Sequence, residues 1–347
     1  MLSIIDQPII DQAKKMKAIV CTQYGSPDVF QLERVDTPVP GSGEVLVKVH
    51  AATATTAGLS ARTGKPVFAR LFSGLTKPKH NILGVEFAGE VVAVGDEVQA
   101  YKPGDPVFGM TGATTPGTYA EYLCMPESGA ILPKPDEVRY EDAAAMVEGG
   151  LTAINFLCNN AMIKPGQRVL IYGATGSVGT ASIQVAKALG AEVTAVCSAV
   201  SFDMVKSLGA DHVIDYRTED FTTNGQLYDI IFDTVGKRSF AACKDSLTPD
   251  GIYLDAGNPA TILSMFWTKM FGRKKAILVA TYVRSASKIK KDLVELKALI
   301  EADKMQAVID RYYPLEKIAD AHRYVETGRK KGNVVITIDH GDGHIAS

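Results

Sequence analysis

The sequence predicts an α/β protein of two domains, a β-rich one followed by a doubly wound parallel sheet with helices on both faces. Three observations predict it. The chain has 347 residues, room for about two domains at roughly 100–200 residues each. From Lys17 to about Pro135 it reads as short β-type runs punctuated by Gly and Pro. After Pro135 apolar strands alternate with helices, and such alternation means a parallel sheet covered on both sides. Hydrophobic residues make up 46% and charged residues 22%, with 37 basic against 39 acidic side chains. That balance suits a folded globular chain and carries no electrostatic footprint for nucleic acid.

The elements follow in order. Residues 1–15 read as a flexible leader, because Asp6, Pro8 and Asp11 interrupt what an export signal needs as an unbroken apolar stretch. The β-type runs are KAIVCTQY, EVLVKVHAAT, GVEFAGEVVAVG, DPVFG and YAEYLCM. In the second, Val45, Val47 and Val49 alternate with Leu46, Lys48 and His50, the period of a strand with one buried face. RVLIY (168–172) then leads through a Gly-rich turn into a helix with Val178, Ser182, Val185 and Leu189 at helical spacing. EVTAVC, a helix over about 201–208, HVIDY, DIIFDTVG, GIYLDAG and AILVATYV complete six strands, the count of a full doubly wound domain. Beyond Ser285 one helical stretch, YYPLEKIADAHRYVETGRKKG and the strand NVVITI are too little for a third domain. The expected division is therefore 16–138 with 285–340, then 139–284, with 341–347 a tail.

The five cysteines, Cys21, Cys124, Cys158, Cys197 and Cys243, are odd in number and lack metal-ligand spacing, which reads as reduced thiols and a cytoplasmic location. The longest apolar stretch, about 256–268, is broken by Asn258 and Pro259 and falls short of the about 20 residues that cross a bilayer. No membrane partner is expected. The six histidines offer no usable spacing.

The main chemical signal is Gly173-Ala174-Thr175-Gly176-Ser177-Val178-Gly179 between a strand and a helix. There, glycine permits the tight turn and lets backbone N–H groups approach a pyrophosphate, and the helix N-terminus adds its dipole. The turn points to a dinucleotide. An NAD site normally carries Asp or Glu about 20 residues later for the ribose 2′-hydroxyl. Here Cys197 and Ser198 stand in that place, and the first acid is Asp203. The absence favours NADP(H), with NAD(H) the alternative. No basic residue stands in the loop Ala199-Val200-Ser201, so Ser198, Ser201 and Tyr216, with Lys331 arriving from the C-terminal strand, are candidates to take the place of an Arg. Equally, Tyr216 reads as the closing residue of a strand. Thr234, Val235, Gly236, Gly257 and Asn258 follow strands at their carboxyl ends, where ligands sit in such sheets, and Asp233 is expected to organise its loop. The stretch Thr261–Phe271, with the one Trp, reads as pocket wall, oligomer contact or ordinary core.

MKAIV, PGSGEVLVKVHAAT, ILGVEFAGEVVAVG, GDPVFG, YAEYL, EGGLTA, GQRVLIYGATGSVG, KSLGADHVIDY, IIFDTVG and YPLEKIADAHRYVETGRKKGNVVI occur in this order from Met16 to Ile338. Together they resemble the zinc-independent quinone oxidoreductase branch of the medium-chain dehydrogenase/reductase superfamily. The resemblance implies a GroES-like catalytic domain, an inserted Rossmann domain, NADPH in the cleft and a homodimer. It also implies that Thr152 meets the nicotinamide side of the cofactor; otherwise Thr152 reads as a helix N-terminal residue. Where zinc alcohol dehydrogenases of that superfamily carry a Cys and a His as ligands, this chain has Thr55 and Val85, and its segment 109–119 has no Cys, so no zinc is expected. The implied reaction is hydride transfer to a quinone or to the double bond of an enal or enone.

The chain departs from the branch as well. Gly58 stands where Asp is usual, and the tyrosine that related enoyl reductases use as proton donor has no counterpart in Gly64-Lys65-Pro66-Val67. Thr55, Tyr119 and Glu148 are the remaining candidates to hydrogen-bond the acceptor or relay a proton. Two alternatives stay open: a metal-free alcohol or aldehyde oxidoreductase, and a non-catalytic NADPH-binding protein of the lens-crystallin kind. RNA binding finds little support in a net charge of −2.

Overall fold

The computed structural model describes residues 15–65, 70, 74–112, 116–279 and 284–341. The expected leader, but for Lys15, and all but the first residue of the expected tail lie outside these, as do Pro66 and Val67. The chain divides into two compact units, Met1–Lys134 with Arg311–Arg329 and Val334–Ser347, and Pro135–Asp310 with Lys330–Asn333.

The first unit is built on antiparallel strands. β1 (Lys15–Val20) pairs with β2 (Gln31–Asp36). The long β3 (Glu44–Ala54) pairs with β4 (Glu86–Val94), and β4 with β5 (Pro106–Met110). β6 (Tyr122–Pro126) adds to β3, and β7 (Ile131–Pro133) to β5. The alternation read in β3 has its expected physical outcome: Val45, Val47 and Val49 are fully buried in a core with Phe87, Val91, Val107 and Leu123. Helix α1 (Thr56–Thr63) follows β3 and ends at Gly64, whose φ of 61° supplies the left-handed C-cap.

The second unit opens with α2 (Tyr140–Ala153), which runs on into a wide π turn over Ile154–Asn160. Then come β8 (Arg168–Tyr172), α3 (Ser177–Ala188), β9 (Glu192–Cys197), α4 (Phe202–Ser207), β10 (His212–Asp215), β11 (Tyr228–Asp233), β12 (Leu247–Asp255), α5 (Thr261–Phe271), β13 (Lys275–Leu278) and α6 (Ala286–Glu301). The six strands are parallel in the order β10-β9-β8-β11-β12-β13, the doubly wound arrangement with its switch point between β8 and β11. Phe156 stacks on Phe232 with centroids 4.8 Å apart, joining the π turn to the sheet.

After β14 (Ile309–Pro314) and α7 (Ile318–Glu326), β15 (Asn333–Thr337) runs antiparallel to β3, Val334 opposite Ala54. The sequence pattern places all of 285–340 with the first domain; the structure puts α6 in the second unit. The reason is packing: Leu293 and Leu296 are fully buried, and a Cβ on Gly150 of α2 would lie 2.5 Å from Leu296 Cδ1. α5 also departs from the core reading, because most of its large apolar side chains are exposed. Among the described residues no helix is long and apolar enough to cross a membrane.

Candidate functional site

The loops after β8, β11 and β12 meet at the carboxyl edge of the parallel sheet. Gly173 leaves β8 with a φ of +80°, and a Cβ there would lie 2.3 Å from Val235 Cγ2 and 2.7 Å from Thr234 Oγ1. The Thr234 hydroxyl donates to the carbonyls of Tyr172 (2.9 Å) and Gly173 (3.2 Å), so the β11 loop clasps the glycine turn. Gly179 lets α3 approach closely: its Cβ would fall 2.3 Å from the Gly173 carbonyl oxygen. Ala174 is fully buried and donates from its N–H to Val196. Gly176 is different, since the nearest atom to a Cβ there is the Gly173 oxygen at 3.7 Å. Packing within the chain therefore leaves the space beside Gly176 open.

Gly176 is also the N-cap of α3 and gives it no side-chain cap. The first N–H groups of a helix lack intrahelical partners and sit at the positive end of its dipole. Together with the open face of Gly176, this turn fits the pyrophosphate of a dinucleotide. Ser177 and Val178 begin the helix.

Two carboxylates hold the neighbouring loops. Asp233 accepts from the N–H groups of Val235 (2.9 Å), Gly236 (2.8 Å) and Arg238 (2.7 Å). Asp255, its partner across the sheet, accepts from Gly257 and Asn258 (both 2.8 Å) and from the Thr261 hydroxyl (2.5 Å). Burial pushes the Asp233 carboxyl above its ordinary range, against the pull of those three N–H bonds. It organises its loop, as its position in the turn suggests.

The far end of the turn lies at β9. Cys197 is buried, Ser198 is half-buried, and Ser201 is 2% exposed with its Oγ buried and without a hydrogen-bond partner. Burial pushes the Cys197 thiol up to about 11, Asp215 adds to the rise, and the charge of Lys331 opposes it. Lys331 thus places positive charge by Cys197. Tyr216 is exposed, and the Arg217 guanidinium lies over its ring at 5.7 Å. Beside the glycine turn, Lys330 Nζ donates to Ser177 Oγ (3.3 Å) and to the Gly332 carbonyl (2.7 Å), while Gly332 N–H donates to Thr175 (2.7 Å). Arg217 and Lys330 are the two basic residues that sequence reasoning missed. Each adjoins a residue it singled out, Tyr216 and Lys331.

Glu148 and Thr152 lie one turn apart on α2 and are both buried. The helix crosses α3 closely, since a Cβ on Gly149 would meet the Ser177 carbonyl oxygen at 2.6 Å. Thr152 sits near the C-terminal end of α2; the reading of it as a helix N-terminal residue is corrected, because α2 begins twelve residues earlier, at Tyr140.

In the first unit, Thr55 and Tyr119 come together around Gly58. Thr55 caps α1, its hydroxyl accepting from Gly58 N–H at 3.1 Å. The Tyr119 hydroxyl, fully buried, donates to the Thr53 carbonyl (3.0 Å) and lies 3.1 Å from His322 Nε2. The hydroxyl and the neutral imidazole share a hydrogen bond whose direction follows the ring's tautomer. The Nδ1 of His322 is buried without a partner. Burial, reinforced by Arg62, depresses the His322 pKa to about 3. Arg62, fully buried, pairs with Glu326 of α7 and donates to the Gly25 carbonyl (2.5 Å). A Cβ on Gly58 would stand 3.4 Å from Tyr119 Oη, 3.6 Å from His322 Cε1 and 3.7 Å from Thr55 Oγ1.

Comparison with known proteins adds an independent line. Residues 41–136 match the alcohol dehydrogenase GroES-like domain, and residues 208–336 match a family described as zinc-binding dehydrogenase. The chain is 31% identical over 337 residues to a chloroplastic quinone-oxidoreductase homolog of Spinacia oleracea, covering 93% of this chain and 99% of that protein. It is 32% identical over 333 residues to 2-methylene-furan-3-one reductase of Solanum lycopersicum, covering 93% and 79%. Among solved structures, the quinone oxidoreductase of Coxiella burnetii superposes with a TM-score of 0.82 at 30% identity, over 94% of this chain and 100% of that one. With the GroES-like domain, the six-stranded nucleotide sheet and relatives aligned over nearly their whole length, the chain belongs to the quinone oxidoreductase branch of the medium-chain dehydrogenase/reductase superfamily.

Proposed function

We propose that this oxidoreductase uses NADPH to reduce quinones or α,β-unsaturated carbonyls and does so without zinc. The observation that carries the reading is the glycine turn with its open face at Gly176, set at the carboxyl edge of the parallel sheet. When bound, the nicotinamide supplies a hydride. The chain supplies the rest: α3 and the glycine turn receive the pyrophosphate, and the loops of Thr234, Val235 and Gly236, and of Gly257 and Asn258, wall the nucleotide. Thr152 serves its nicotinamide end, and Glu148, buried one turn before it on α2, is the candidate to relay a proton.

NADPH over NADH is supported by Cys197 and Ser198 standing where β9 would carry an acid, and by the buried Ser201 hydroxyl without a partner; the neighbouring Asp215 carboxylate of β10 is engaged by the N–H groups of Ala199 (3.2 Å) and Arg217 (3.0 Å). Tyr216, Arg217 and Lys331 complete that set. A 2′-phosphate would give Ser201 the acceptor it lacks and pair with the cations.

Freedom from zinc is supported by chemistry at two positions. Thr55 spends its oxygen on capping α1, and Val85 offers only an alkyl group, so neither replaces a zinc ligand. Thr55, whose hydroxyl proton stays available while its oxygen accepts, is proposed to hydrogen-bond the acceptor oxygen. Tyr119 acts as a positioning residue through Thr53. The acceptor classes follow from the names of the Spinacia and Solanum relatives. A homodimer and a cytoplasmic location complete the proposal, the latter supported by five free cysteines.

Initial rates with both nicotinamides against a panel of quinones, enals and enones test the reading, alongside light scattering for the dimer. The expected result is NADPH oxidation that survives chelation. Nucleotide binding with no turnover of any acceptor would assign the chain to a non-catalytic binder, and activity lost with removal of a stoichiometric zinc would overturn the metal-free mechanism.

A further inference from the structure

Asn224 is the single asparagine of the chain that precedes a glycine; the other six precede Ile, Phe, Asn, Ala, Pro or Val. Asn224-Gly225 lies in the loop from β10 to β11, and that loop is fastened on both sides. Upstream, the N–H groups of Thr218 and Glu219 donate to the Asp215 carbonyl (3.0 and 2.9 Å), and Phe221 is buried in the core of its unit. Downstream, Tyr228 opens β11 and is buried as well. The asparagine therefore stands on an ordered turn.

The amide of Asn224 is held at both of its ends. Its Oδ1 accepts from Gln226 N–H at 3.0 Å, and its Nδ2 donates to Glu219 Oε1 at 2.9 Å. A side-chain turn of this kind draws the amide carbon, Cγ, back over the peptide that follows, on the side of Gly225 N. The Gln226 N–H also polarises the carbonyl and faces the oxygen on which negative charge would collect if a nucleophile added to Cγ. A nucleophile stands next to it. Among the described residues Gly225 N–H donates to no acceptor; the residue is exposed, and no atom lies within 4 Å of the place a Cβ would take. No side chain of its own shields that nitrogen.

We propose that Asn224-Gly225 is a self-modifying site, at which Asn224 becomes aspartate and isoaspartate and the new carboxylate unfastens the loop before β11. Gly225 N loses its proton and attacks Cγ; the Cγ–Nδ2 bond breaks, and the amide nitrogen takes up that proton and leaves as ammonia. Water then opens the cyclic imide, at Cγ to give aspartate or at the main-chain carbonyl of residue 224 to give isoaspartate. One water is consumed, one ammonia is released, and nothing is oxidised or reduced. The product sets a carboxylate against Glu219 where an N–H donor stood, exchanging a hydrogen bond for a like-charge contact.

The test incubates the full chain and follows ammonia release with mass mapping of the peptide that holds residue 224, an isoaspartate-specific carboxyl methyltransferase marking the isoaspartate. Conversion should run at residue 224 ahead of every other asparagine and rise about tenfold per pH unit between about 7 and 9, because the attacking N–H must lose its proton. It should be at least as fast as in a synthetic peptide of residues 219–228, since the turn preorganises the attack. Gly225→Ala crowds the nitrogen but strains a φ of +76°, so Asn224→Gln, which keeps an amide and must close a larger ring, serves as the second variant; each should slow conversion at least about tenfold. Asn224→Asp should speed amide exchange over 219–226 about fivefold, the loss of one hydrogen bond, and Glu219→Gln in that background should restore it. Conversion slower in the chain than in the peptide, or scattered over other asparagines, overturns the site. Unchanged exchange in Asn224→Asp overturns the loosening of the loop.

Discussion

Gly173 and Gly176 are three residues apart, yet substitution should separate folding from binding. Ala at Gly173 meets both a φ of +80° and the Val235 side chain, so Gly173→Ala should cost about 1–3 kcal/mol in denaturant unfolding. Gly176→Ala meets nothing closer than 3.7 Å. It should leave stability within about 1 kcal/mol and still raise the dissociation constant for NADPH, measured by nucleotide fluorescence, at least about tenfold if a pyrophosphate approaches that face. Ser201→Ala removes a buried hydroxyl that has no partner. Such a change is neutral or stabilising by up to about 1 kcal/mol, and it should weaken NADPH without weakening NADH. The glycine spacing was legible in the sequence because backbone geometry demands that residue type. Arg217, proposed as a phosphate partner, was not, because a base was sought in the loop after β9 and this one stands beyond the end of β10, whose Asp215 pairs with Cys197.

At the scale of elements, α7 carries a buried histidine and the carboxylate that pairs with Arg62 of α1. The His322 pKa falls from its ordinary 6.5 to about 3 on folding, so below about 6.5 the unfolded chain binds a proton that the folded chain refuses. Stability is unaffected by this group above about pH 6.5 and falls as the pH drops from there toward about 3. The slope reaches about 1.4 kcal/mol per pH unit. His322→Gln should flatten that part of the pH–stability curve. Glu326→Gln leaves the Arg62 guanidinium buried with its carbonyl partner alone. Because Glu326 is itself 39% exposed, the loss should be about 2 kcal/mol, less than the breaking of a fully buried pair. Neither the burial of His322 nor the ion pair could be read from the sequence: Arg62 and Glu326 stand 264 positions apart, and only the fold makes them neighbours. The exposed face of α5 was hidden for the opposite reason, since apolar helical periodicity looks the same whether its face is turned in or out.

For the molecule as a whole, the alternation of strands and helices carried the six-stranded parallel sheet, because βαβ units lay successive strands parallel, while the strand order itself comes from the structure. The boundary near 285 was not carried, since α6 has the amphipathic pattern that either unit could bury and Gly150 decides for the second. The return strand brings Lys330–Asn333 to the nucleotide unit while β15 pairs with β3, so the residues proposed to bind the pyrophosphate and the ribose phosphate, from Gly173 to Lys331, all belong to that one unit. A ligand that binds the folded state alone stabilises it by about 2.7 kcal/mol at a hundred times its dissociation constant. For a unit of this size each kcal/mol moves the midpoint by about 2–4 °C. NADPH should therefore raise the melting of the nucleotide unit by about 5–10 °C, slow amide exchange in 173–179, and leave exchange in β3 unchanged. The Ser201→Ala variant should lose part of the NADPH shift and keep that of NADH. If neither nucleotide moves the midpoint or the exchange at Gly176, the open face of the turn holds no pyrophosphate and the proposed chemistry has no source of hydride.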